Sequence, residues 1–483
     1  MSGTNDPVRV PAAVAEARQA ARRAADAWQS SRLGMALAGA GVAAFLMGAF
    51  IVLDYTFDQD PHRILKVALG LLAILAIMTR PKTGLLILPV VTPFLPWIPP
   101  TPLPGLNALN VLLFAVFGTF ALGKVLRRER LFRPNHLGAL IGWLLLLCAV
   151  SIVRGAAFPT GYGFEAYPAA IVLFRSATTF SLYFIVLAMV DGEGDRRRVL
   201  WAVLLGLLLE SVATILYGRS GPGGRAIGSI GQSNELGSFV ALLSVVAFAM
   251  VPAVRSWIGK LMLLGTMFAG SLALIYSLSR GAMVAFLVSL FYVAWRSSKT
   301  LFGVLLLTLA LSPVWAPDYL KARITSSQVE VEGSDQVTLD KASEARIETW
   351  QSLLLVVKAH PIDGVGFTGL GYVLPDIGNA LGLADVKDSA HNTYLRMLAE
   401  MGVLGLVLFL WLMARCLWLA EKGIRAARTR FDRGLAVGMG GAAISMLIGC
   451  AFGDRFWNVL IASGFWVICA LVDDFLLPLR RNA

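Results

Sequence analysis

The chain has 483 residues, 57% hydrophobic and 15% charged, with a mean hydropathy of +0.71. A soluble domain carries about 25% charged residues, so the composition excludes a soluble globular protein and points to a chain mostly embedded in a bilayer. Forty-two Lys and Arg against thirty Asp and Glu give a net charge of +12, but these cations fall in short connectors between apolar runs, where they set membrane orientation rather than bind nucleic acid.

About 20 apolar residues are needed to cross a bilayer as a helix. Candidate spans run, in chain order, near 33–53, 64–79, 84–98, 107–126, 137–153, 169–190, 199–217, 236–252, 260–278, 281–295, 301–315, 393–414, 435–452 and 456–472. The third is broken by Pro89, Pro93 and Pro96, and it and 281–295 could be re-entrant or tilted. The expected fold class is therefore all-α, a polytopic integral membrane protein of about 12 to 14 transmembrane helices. Cys148, Cys416, Cys450 and Cys469 lie in or beside these apolar runs, without CxxC or Cys/His spacing, which argues against a disulfide framework or structural zinc.

Charge sets the expected orientation. With the N-terminus inside, 27 of the 42 Lys and Arg lie on the inner side and 12 on the outer. The positive-inside bias then puts both termini in the cytoplasm. The tail 1–32, with Arg18, Arg22 and Arg23, is either a surface helix on the anionic leaflet or a disordered topological tail. A bundle of about 11 spans follows over 33–315, then one large outer loop over 316–392, then the C-terminal helices and tail, 393–483. Within the loop, Thr338 to Lys358 reads as a helix with Ile347, Trp350, Leu354 and Val357 on its apolar face. His360-Pro361 ends it, and Gly364, Gly366, Gly369 and Gly371 make a turn-rich stretch.

Ionisable side chains within spans are costly and mark function by default. Arg175 and Glu210 each lie about 10 Å from the outer end of a span at 1.5 Å per residue. They are either a pair that only joins two helices or part of a site. Arg154, Arg225, Arg280 and Arg346 gather at the same outer face, where the positive-inside rule should leave few arginines. A polyanionic ligand would explain them, because guanidinium binds phosphate oxygens in bidentate fashion. Among the four histidines, His391 stands out. It precedes a span on this face, with Asp388 before it and Asn392 and Tyr394 after it, and its neutral imidazole could take a proton from a hydroxyl nucleophile.

Arg346 and Trp350 in R-x3-W order, HPIDGVGFTGLG (His360 to Gly371) and HNTYLRMLAEMGVLGL (His391 to Leu406) resemble the C-terminal signature of the O-antigen ligase and polymerase superfamily. GQSNELGSFVALL (Gly231 to Leu243), which contains Asn234, and SLSRGAMVAF (Ser277 to Phe286) resemble its two preceding motifs, in the same order. The likeness covers about a third of the chain.

This resemblance implies an inner-membrane enzyme with a catalytic loop facing the periplasm of a bacterium. It would transfer a glycan from an undecaprenyl diphosphate carrier to an acceptor hydroxyl, with no cofactor, nucleotide sugar or essential metal. The acceptor would be a glycan, lipid A-core or a second lipid-linked repeat, for a ligase or a polymerase; the number of spans inclines the reading towards a polymerase. By motif position Arg225 and Arg280 would hold the diphosphate and His391 would be the base. Arg346, Arg175, Arg154, Asn234, Glu210, Asn392 and Tyr394 would be substrate contacts. The outer face carries no DxD-like cluster, although Asp385 and Asp388 would admit a cation. The alternative class is a transporter or flippase of lipid-linked glycans. The halves of the chain show no convincing repeat, and the charges sit near one face rather than the midplane, unlike a transporter.

Overall fold

The computed structural model describes residues 79–98, 108–126, 128–157, 163–218, 224–311, 328–330, 337–339, 341–383 and 389–477, with isolated positions besides. The expected tail 1–32, the span 33–53, almost all of 64–79, and Asp385 and Asp388 lie outside them. The chain divides into two compact units, 1–88 with 111–133 and 89–110 with 134–483.

The Pro-broken stretch is a short helix, α1 (Pro81–Val91), that tightens into a 3-10 turn over Thr92–Trp97. Helix α2 is Ala108–Leu126. Within the first unit Gly84 lets Val116 approach, since a Cβ there would lie 2.2 Å from the valine's Cγ2.

The second unit holds α3 (Gly138–Ala157), α4 (Ala166–Met189), α5 (Gly192–Tyr217), α6 (Ser233–Met250), α7 (Trp257–Ser277), α8 (Arg280–Ser297) and α9 (Lys299–Ala310). A short antiparallel hairpin follows, β1 (Gln328–Glu330) paired with β2 (Val337–Leu339). Then come α10 (Lys341–Ala359), α11 (Leu370–Ala380), α12 (Thr393–Ala426), α13 (Arg430–Ala451) and α14 (Val459–Leu476). Among the described residues nine helices are long and apolar enough to cross a bilayer: α2 to α7 and α12 to α14. The fold is that of an all-α polytopic membrane protein. The expected spans at 281–295 and 301–315 fall on α8 and α9; α9, at 12 residues, is about 18 Å long, shorter than the hydrocarbon core.

Helices α6 and α13 form the centre, each 78% buried, against 28% to 39% for α2, α3, α7 and α12. Small residues allow this. Lipid tails give no hydrophobic drive between helices, so close packing must supply the attraction. A Cβ on Gly438 or Gly441 of α13 would meet Val246 at 3.2 Å or Val245 at 2.4 Å.

Helix α12 is broken at Gly402, whose φ of 67° and ψ of −169° are not helical. The Gly-rich turn after α10 fills the break. Ala399 and Glu400 carbonyls accept from Val365 and Gly366 N–H at 2.9 and 3.0 Å, and Val403 N–H donates to the Pro361 carbonyl at 2.9 Å. The loop and the span thus satisfy each other's backbone. A core of Leu353, Val356, Val365, Leu370, Val373, Leu374, Ala390 and Ala399 docks α10 and α11 onto α12.

The buried face of α10 is rotated from the expected one. Ala345, Thr349, Ser352, Leu353 and Val356 are buried, whereas Ile347 and Leu354 are 40% and 48% exposed.

Candidate anion-binding active site

Two helix starts meet at one cavity. Gln232 caps α6 by accepting from Glu235 N–H. Before α8 the chain turns through Leu278 in the left-handed region, φ 50°, so that Ser279 and Arg280 begin the next helix beside it. A helix start presents N–H groups without intrahelical partners and the positive end of the helix dipole, which together favour an anion.

Arg225, Asn234, Leu278, Ser279, Arg280, Gly281, Arg346 and Phe452 line a cavity of about 120 Å³ here. Arg225 donates from Nε to the Ser277 carbonyl at 3.0 Å and from Nη2 to Asn234 Oδ1 at 2.8 Å. Three guanidinium groups and two helix starts around a space of this size can hold a phosphate or diphosphate.

The loop between α13 and α14 closes one side, and sequence reasoning missed it. Phe452 lines the cavity and blocks the space beside Gly281, where a Cβ would meet its ring carbons at 2.5 Å. Arg455 is 6% exposed. Its burial pulls the guanidinium below its ordinary value, opposed by Glu235 and Asp454 and reinforced by Arg346, so these charges share one neighbourhood. Asp454 ties the loop to the turn that carries His391: its Oδ2 accepts from Ser389 Oγ at 2.7 Å and lies 3.6 Å from Arg396 Nη1. Thr393 Oγ1 donates to the Gly453 carbonyl at 2.9 Å. The available signal was the hydrophilic triplet Gly453, Asp454 and Arg455 between two spans.

His391 adopts φ 46°, the left-handed region, which costs a non-Gly residue on the order of 1 kcal/mol or more. Its N–H donates to Ser389 Oγ at 3.4 Å, and the Trp350 indole of α10 donates to the Ala390 carbonyl at 2.9 Å. The turn is fixed from three sides, by α10, by the 452–458 loop and by α12. His391 itself is not among the cavity-lining residues.

The other sequence-expected contacts have different partners. Arg154 bonds Asp363 and His360. Desolvation pushes the Asp363 carboxyl up, but the bond and charge of Arg154 outweigh it and hold it below the ordinary carboxylate range. Glu210 is fully buried and does not pair with Arg175. It accepts from Ser229 N–H and from Thr214 at 3.0 and 3.2 Å and so anchors the loop before α6. Arg175 is exposed. Asn392 caps α12, and the Tyr394 hydroxyl donates to the Leu447 carbonyl at 2.7 Å. Among the described residues no group of three or more His, Cys, Asp or Glu has metal-site geometry.

Residues 262–410 match the family model described as O-antigen ligase. The match spans less than a third of the chain. It runs from within α7 to within α12 and carries Arg280, Arg346 and His391, which supports the resemblance of the chain to the O-antigen ligase and polymerase superfamily. Arg225, Asn234 and the 452–458 loop lie outside it. A search of curated proteins finds no match to the chain. The match supports a ligase or polymerase type of function, of glycosyltransferase kind, for this multi-pass membrane protein, and implies lipid-linked glycans and acceptors as partners only in general terms.

Proposed function

We propose that the chain is an inner-membrane glycosyltransferase that moves a glycan from undecaprenyl diphosphate to an acceptor hydroxyl on the periplasmic side, as a polymerase or as an O-antigen ligase. The supporting observation is the cavity between the starts of α6 and α8, with Arg225, Arg280 and Arg346 around it. Its volume of about 120 Å³ lies below the 300 to 1,000 Å³ of drug-sized ligand pockets, which suits a charged headgroup while the glycan lies outside.

In this reading the acceptor oxygen bonds to the anomeric carbon as the bond from that carbon to the diphosphate oxygen breaks. The electron pair leaves on the diphosphate. Arg225 and Arg280 stabilise that developing charge, with Arg346 a further contact, and preorganised donors of this kind are usually the largest catalytic contribution. His391 takes the acceptor proton. The arginines supply the charge that a metal would otherwise provide. Tying the His391 turn to the 452–458 loop keeps base and anion site in register.

Purified protein, incubated with a lipid-linked glycan and an acceptor, should form a new glycosidic bond and release undecaprenyl diphosphate. Movement of the lipid-linked glycan across vesicles without any new bond would overturn the reading. Lipopolysaccharide from a deletion strain separates the two activities: full core with no chain attached means ligase, and core bearing a single repeat means polymerase.

A further inference from the structure

The end of α12 remote from His391 carries a second cationic group. After the break at Gly402 the helix runs on to Ala426, about 36 Å, against roughly 30 Å of hydrocarbon. The last turns therefore reach headgroup level. Trp411, Arg415, Trp418 and Lys422 recur at intervals of three and four and share one face. The Arg415 guanidinium lies 4.0 Å from the Trp418 ring centroid and the Lys422 ammonium 4.9 Å from it. Both tryptophans are exposed, Trp411 by 55% and Trp418 by 41%.

The charge balance here is uneven. Arg196 is neutralised by Asp474 and Asp432 at 2.7 and 3.1 Å, and Arg296 by Glu421 at 2.5 Å. Arg415 and Lys422, by contrast, form no ion pair with a carboxylate among the described residues. Their polar contacts come from His136, whose carbonyl accepts from Arg415 at 3.5 Å and whose Nε2 lies 2.9 Å from Lys422 Nζ. The other ring nitrogen of His136 bonds the buried Asp473, which also accepts from the Tyr183 hydroxyl. Lys422 is thus held in direction by the His136 ring rather than by a carboxylate.

We propose that Arg415, Trp418 and Lys422 form a binding site for the phosphate headgroup of an anionic phospholipid. A guanidinium and an ammonium astride one exposed indole match a phosphodiester above and apolar glycerol and acyl carbons below. A free phosphate would use the two cations but not the aromatic surface. The site lies at the opposite end of α12 from the proposed base, and its existence does not depend on the proposed reaction.

The test is thermal unfolding of the whole chain in neutral detergent, with phosphatidylglycerol, phosphatidylcholine or inorganic phosphate added. A lipid that binds only the folded chain raises its midpoint. Phosphatidylglycerol should raise it, and the other two should not. Each basic residue near an anionic surface contributes a factor of about five, so Arg415→Gln with Lys422→Gln should need roughly 30-fold more phosphatidylglycerol for the same shift. An unchanged response in that variant, or an equal response to phosphatidylcholine, overturns the site. An equal response to inorganic phosphate overturns the lipid assignment. Should the double variant fail to fold, Arg415→Gln alone, which leaves the bridge from Lys422 to His136 intact, must weaken the response about fivefold; no change refutes the proposal.

Discussion

Arg225 is oriented by a carbonyl and an amide oxygen and lines the cavity. A residue so placed is expected to matter for a ligand more than for folding. Arg225→Ala or Arg280→Ala should abolish transfer with little loss of folded protein, because a hydrogen bond to a charged group contributes about 1.5 to 3 kcal/mol. Lysine at either position should restore only part, since it keeps the charge and loses the fork. Product formation by the folded variants decides this, and full activity in both alanine variants would show the arginines to be structural. For His391 the backbone dictates the choice of substitution. At φ 46° alanine would retain the strain, whereas asparagine tolerates the left-handed region. His391→Asn should therefore keep the turn and donor binding while turnover falls by about 10² to 10⁴; a joint loss of donor binding and thermal stability would assign His391 to structure instead. That Arg225, Arg280 and Arg346 share a cavity was foreshadowed in the sequence because a guanidinium at a membrane boundary is costly and demands a reason. Arg154 and Arg175, singled out on the same ground, lie elsewhere. Asp454 and Arg455 were not foreshadowed, because a short polar connector between two spans reads as topology until its bonds to the His391 turn are seen. Asp454→Asn should lower transfer without altering donor binding, read as a fall in kcat at constant KM. A rise in KM alone would remove its positioning role.

At the scale of elements, the existence of most helices followed from apolar length, while faces and breaks did not. Helix α10 buries Thr349 and Ser352 because each hydroxyl bonds back to its own helix, at 2.7 Å to the Ala345 carbonyl and 3.2 Å to the Glu348 carbonyl. Satisfied in this way, a polar side chain can face the core, and a reading by hydrophobic spacing turns the helix to Ile347 and Leu354 instead. The break in α12 was equally hidden, since Met401-Gly402-Val403 is as apolar as the rest of the span. A Cβ on Gly402 would lie 1.9 Å from the Ile362 carbonyl oxygen and needs a backbone that L-residues rarely adopt. Gly402→Ala should accordingly cost about 3 kcal/mol or more and drop the yield of folded, monodisperse protein in detergent. Wild-type yield and melting would show that the break is dispensable.

For the whole molecule, the charge census predicts that 316–392 lies outside the inner membrane and 415–434 inside. All four native cysteines are buried and free, so a cysteine placed at Ser334 should be the reactive one towards an impermeant reagent added outside. Reaction only after the inner membrane is opened would reverse the orientation. The family match ends at residue 410, yet the cavity draws on Arg225, Asn234 and Phe452 from beyond it. A fragment cut to the matched segment would carry the signature residues and lack the site. The joint between the turn at 360–366 and the gap in α12 also determines how this loop behaves in time. Backbone amides in a hydrophilic loop ordinarily trade their protons with water quickly, but those of Val365 and Gly366 donate to carbonyls inside a membrane helix. In deuterated buffer they should exchange with the slow kinetics of α12 itself, so that the loop opens only when the span does.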